Sequence, residues 1–99
     1  MAEYYAVRGV RKSAGTYTDE GSFKTEAEAI SKLDSLGLDE DCLLAEVQLW
    51  RDVAGGVSVD TVPVIAQAER VDGQWQRAGG KLRSRSMAGE AKEILRNPR

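Results

Sequence analysis

The stretch 23–38, FKTEAEAISKLDSLGL, constrains the fold most, because its start, its period and its end all specify one amphipathic helix. Thr25 with Glu28 three residues later predicts a capping box, in which side chains satisfy backbone donors orphaned at the helix start. Ala27, Ala29, Ile30, Leu33 and Leu36 fall on one half of the helical wheel, and Glu28, Ser31, Lys32 and Ser35 on the other. Gly37 is placed to take the left-handed C′ conformation, which would fold Leu38 back on Leu33 in a Schellman contact. A helix with one apolar face needs a cover, and strand-like segments flank it on both sides.

Glu3 to Arg11 is rich in tyrosine and valine and predicts a strand, apolar on both faces near its start. Lys12-Ser13-Ala14-Gly15 is a turn, and Thr16-Tyr17-Thr18 a short return strand. Phe23 is placed to plug the sheet just before the helix. Asp39-Glu40-Asp41 forms an acidic link, after which Leu43 to Val53 alternates as a strong strand broken by Ala54-Gly55-Gly56. Val57 to Val71 is a second long run, in which Pro63 implies a bulge or an edge because proline cannot donate to a ladder. Asp72-Gly73 is the sharpest turn signal and predicts a type I′ hairpin, with Val71 facing Gln74 and Arg70 facing Trp75. Gly79-Gly80 ends the last strand.

The remaining residues, 81–99, form a basic segment in which Ser86 could cap a short helix. Met87, Ala91, Ile94 and Leu95 would share its stripe, and Asn97-Pro98 would stop it. The predicted order is β-β-α-β-β-β-α: an α+β fold, with a small antiparallel sheet and helices packed on one face. Residues 1–80 make a single domain. The basic C-terminal segment docks on that domain or on a partner.

Ninety-nine residues suit one domain with a modest core. The net charge of −2 argues against a surface that binds polyanions all over, but the two halves differ. Residues 1–50 carry five Lys and Arg against ten Asp and Glu, and residues 51–99 carry nine against six. Such asymmetry marks the C-terminal stretch as an interaction tail or a solubilising one.

Histidine is absent, which removes the commonest general base and metal ligand. Cys42 stands alone, so a thiolate zinc cage is impossible and the compartment is expected to be reducing. Cys42 as a nucleophile lacks a visible base, and a structural thiol is the plainer reading. Asp39, Glu40 and Asp41 lack the spacing of a calcium loop, and the glycine pairs at 55–56 and 79–80 make no phosphate loop. The N-terminus has no basic region followed by an apolar run, and no window is long enough for a membrane span. A non-enzymatic cytoplasmic protein without cofactor or metal is expected.

Two binding surfaces follow. Trp50, Arg70 and Trp75 are the candidates for protein contact, since tryptophan and arginine are enriched at interface hot spots. Either indole can instead serve the core, the commoner place for tryptophan in a domain of this size. A homodimer is a further expectation, because long alternating strands with an open edge can pair across a two-fold axis. The alternative is nucleic acid, gripped by Tyr4, Arg8, Arg11, Lys12 and Tyr17 of the first hairpin or by Lys81, Arg83 and Arg85 of the tail.

YYAVRGVRKSAGTYTDE followed by GSFKTEAEAISKL resembles the small RNA–DNA hybrid-binding module at the front of some ribonucleases H. The matching positions are Tyr4 or Tyr5, Arg8, Arg11, Lys12, Gly15, Tyr17, Phe23 and Thr25. The resemblance covers the first third of the chain and implies nucleic-acid binding by the hairpin. The tryptophan-bearing helix that the family places before its Phe-x-Thr element is missing here, and that helix helps to form the family's binding surface.

Overall fold

The computed structural model describes residues 3–51, 63–78 and 95–96. Strands β1 (Glu3–Arg11) and β2 (Thr16–Phe23) form a hairpin and lead into helix α1 (Glu26–Ser35) and a 3-10 turn, Leu36–Leu38. Strands β3 (Cys42–Arg51), β4 (Val64–Val71) and β5 (Gln74–Arg77) follow. The sheet order is β2-β1-β3-β4-β5, and every neighbouring pair is antiparallel. β2 and β3 therefore run in the same direction on either side of β1. A connection between parallel strands cannot be a tight turn, and α1 supplies the crossover.

One antiparallel five-stranded sheet and one α-helix are thus what the described residues show, an α+β domain at the coarse level. The expected seven-element order with two helices is not what they show. The 3-10 turn is an unforeseen element. The expected helix after Ser86 lies outside the described residues except for Leu95 and Arg96, which are helical. Leu95 packs against Val10, Leu43 and Leu44. Val10 and Leu44 are cross-strand partners on the face away from α1, so Leu95 lies on the other side of the sheet from that helix. The cause is that β1 and β3 carry buried apolar side chains on both faces, so each face needs its own cover.

β2 extends five residues beyond the expected Thr18, taking in the polar run to Phe23. Val7 pairs with Gly21 while Arg8 pairs with Asp19, so Glu20 is an extra residue, and Gly21 accommodates the bulge at φ 144°. Polar residues are tolerated in this strand because it lies at the sheet edge. Phe23 does pack against the core, as its position implied. Pro63 precedes β4, and its carbonyl accepts from Leu49 N at 3.0 Å. The ladder then slips between Val47 and Gln48, leaving Ile65 as a bulge close to the proline. Asp72 and Gly73 have φ of 51° and 81°, both positive as a type I′ turn requires.

Thr25 caps α1 by accepting from Glu28 N at 3.2 Å, while its hydroxyl donates to the Glu28 carboxylate at 2.8 Å. Ala29, Leu33 and Leu36 are buried against Val7, Ala45, Val47, Ala66 and Ala68, with Ile30 at the rim. Ala27 is exposed, so the buried stripe is narrower than the wheel suggested. Alanines at the sheet centre let the helix sit close. Burial of a leucine such as Leu33, with none of its surface exposed, stabilises by about 1.5–3 kcal/mol.

The Schellman ending does not form. Gly37 is not among the positive-φ glycines, and Leu38 is 91% exposed rather than folded on Leu33. Gly37 is needed for space: a Cβ there would stand 2.5 Å from Trp75 Cδ1. Contact with the sheet decides this terminus.

Candidate interaction surface

Arg70 and Trp75 face each other across the β4–β5 hairpin, as the turn register requires, with the guanidinium carbon 5.2 Å from the ring centroid. Both point to the α1 side, and both are engaged internally. Arg70 Nη2 donates to Gly37 O at 3.2 Å and to Asp39 O at 3.0 Å, and Nε donates to Cys42 O at 3.2 Å. Trp75 Nε1 donates to Leu33 O at 3.2 Å. Carbonyls at a helix end lack intrahelical donors, so Trp75 caps the last turn of α1, while Arg70 ties the 3-10 turn, the link after it and the start of β3 to β4. Their hydrogen-bonding groups are thereby committed to the fold.

Trp50 lies on the opposite face, apart from the other two candidates. It pairs in register with Tyr4, and the rings stack with centroids 6.2 Å apart and planes inclined by 7°. Tyr4 is 40% exposed. The indole is held from beneath: Trp50 Nε1 donates to Gln48 Oε1 at 3.0 Å, and Gln48 Nε2 donates to Glu46 Oε2 at 2.9 Å. Gln67 Nε2 reaches the other Glu46 oxygen at 3.4 Å. Glu46, Gln48 and Gln67 are all buried. An exposed ion pair, Arg51 Nε to Glu3 Oε1 at 3.1 Å, borders the aromatic pair at the same end of the sheet.

The basic and aromatic residues of the first hairpin divide between the two faces. Tyr4 and Arg8 share the face away from α1, and Tyr17, opposite Val10, belongs to it as well. In register, Arg8 lies between Asp19 and Glu46. Arg11 points to the helix side. Its Nε and Nη2 hold both oxygens of Glu20 at 2.8 Å, and Nη1 reaches Asp39 at 2.5 Å and Asp41 at 3.6 Å. Thr18 donates to Glu20, and Asp41 accepts from Ser13 N at 2.8 Å and from the Ser13 hydroxyl.

This network perturbs its members. The Arg11 guanidinium holds the Glu20 and Asp39 carboxyls below their usual range, and hydrogen bonds from Ser13 do the same for Asp41. Glu20 and Asp39 in turn raise Arg11 further. Arg11 is therefore a clamp between the first hairpin and the link before β3, not a free cation. Lys12 is exposed in the turn, with its backbone N–H on Asp41 O at 3.0 Å. Lys81, Arg83 and Arg85 lie outside the described residues.

Burial pushes the Cys42 thiol up to about 11, and its Sγ donates to Leu44 O at 3.4 Å. A buried, protonated thiol is a poor nucleophile. Among the described residues no three His, Cys, Asp or Glu side chains converge in a way that could hold a metal, and no helix is long and apolar enough to cross a membrane.

Two arrangements were out of reach of the sequence: the Tyr4–Trp50 stack and the Arg11 clamp. The stack joins residues 46 positions apart through the β1–β3 pairing, and the clamp adds Asp39 and Asp41 from the link before β3 to a contact between Arg11 and Glu20 within the first hairpin. The one sequence signal was that Tyr4 and Trp50 sit near the outer ends of two strong strands. Compared with known protein families, with curated proteins and with solved structures, the chain matches none.

Proposed function

We propose that this chain is a small non-enzymatic interaction protein that binds another protein, as accessory, inhibitory or phage-type modulators do. The Tyr4–Trp50 stack carries the reading. It is a stacked aromatic pair, partly open to solvent, with the indole N–H already satisfied by Gln48. Large amphipathic side chains held in one geometry lose little entropy on binding, and tyrosine and tryptophan are enriched at interfaces. Trp50 is thus the contact residue of the three candidates, with Arg70 and Trp75 supporting the fold beneath a different surface.

A homodimer would use the same aromatic pair, since both sheet edges are poor templates: β2 is bulged at Glu20 and carries Asp19, and β5 is four residues long. The basic segment 81–99, read from the sequence as a short helix for docking on the domain or on a partner, lies outside the described residues apart from Leu95 and Arg96. A cytoplasmic setting fits the lone buried thiol.

Nucleic-acid binding is the second reading, supported by the placement of Tyr4, Arg8 and Tyr17 on one face with Lys12 exposed nearby. A hybrid-binding role like that of the ribonuclease H module would have to do without Arg11, whose guanidinium is occupied.

Affinity capture from host lysate with immobilised wild type and Trp50→Ala, each with and without nuclease, tests the proposal. The expected result is a protein retained by wild type, unaffected by nuclease and lost from the variant. Retention abolished by nuclease would transfer support to the second reading.

A further inference from the structure

We draw no further inference here: the strongest candidate, the polar strip on the sheet face away from α1 where Arg8 Nε is buried without an acceptor beside Glu46, Gln48 and Gln67, carries nothing, because nothing among the described residues shows what covers that strip.

Discussion

Gly37 lies against the indole of Trp75 so closely that a Cβ on residue 37 would stand 2.5 Å from Cδ1 and 2.6 Å from Cγ. The turn after α1 and the β4–β5 hairpin are therefore fitted to each other, with Arg70 and the Trp75 N–H fastening the carbonyls around them. A side chain at residue 37 has to displace the ring or the turn. Gly37→Ala is expected to destabilise by about 1–3 kcal/mol, the usual cost of overpacking. Chemical denaturation measures it. The cost should shrink in a Trp75→Ala background, and an equal loss in both backgrounds would show that the ring is not the obstacle.

Leu33 sits at the centre of the helix–sheet contact with no exposed surface. Leu33→Ala removes atoms from a packed site that can close only partly, and a loss of about 2–5 kcal/mol is expected. Ala27→Ser, on the exposed shoulder of the same helix, should change stability by less than about 0.5 kcal/mol. Comparing the thermal midpoints of the two variants checks which face is buried, and similar midpoints would contradict the observed packing.

What was legible in the sequence was local. The cap at Thr25, the I′ turn at Asp72-Gly73 and the facing of Arg70 and Trp75 each depend on residues a few positions apart, whose chemistry leaves few alternatives. The end of α1 was not legible, because Gly37 could serve a left-handed cap or a close approach, and Trp75 decides between them from 38 positions away. The division of the basic hairpin was half legible. Strand parity puts Arg8 and Arg11 on opposite faces, but only the tertiary contacts reveal that Glu20 and Asp39 occupy Arg11. Trp50 and Trp75 look alike in the sequence; one became a helix cap, the other half of a stack only partly open to solvent.

The Arg11 clamp makes stability depend on acid. Glu20, Asp39 and Asp41 have folded-state pKa values below their ordinary 4.5, 3.8 and 3.8. Their contribution is complete above those ordinary values and is lost as pH falls through the depressed ones, because the unfolded chain takes up protons first. Urea midpoints should hold steady from pH 7 to about pH 5 and then decline steadily below about pH 4.5. Arg11→Met should lower the plateau and flatten the decline. Glu20, bidentate and half-buried, should account for more of the effect than the exposed Asp39. A slope as steep in Arg11→Met as in wild type would place the acid sensitivity elsewhere.

The two binding readings separate on salt and on aromatic truncation. If the first hairpin holds nucleic acid, Arg8 and Lys12 each neutralise a phosphate, and Arg8→Gln with Lys12→Gln should reduce the log Kd versus log [salt] slope by roughly 1.4–1.8, from about 0.7 per contact on single strands or 0.9 on duplex. Arg11 is left intact, because its loss would weaken the fold and confound the measurement. If the surface is a protein interface anchored by the Tyr4–Trp50 stack, the same double variant should bind its partner nearly normally. Trp50→Ala should then weaken the complex by about 2 kcal/mol or more, the loss typical of a central aromatic anchor. Tyr4→Ala should weaken it in the same direction, since removing one ring frees the other to rotate. Each variant must first melt cooperatively, because Trp50 also holds Gln48 and through it the buried Glu46. The expected result is a partner affinity sensitive to Trp50 and Tyr4 and insensitive to the two cations. A steep salt slope in wild type that falls in the double variant, with partner binding indifferent to Trp50, would overturn the protein-binding reading.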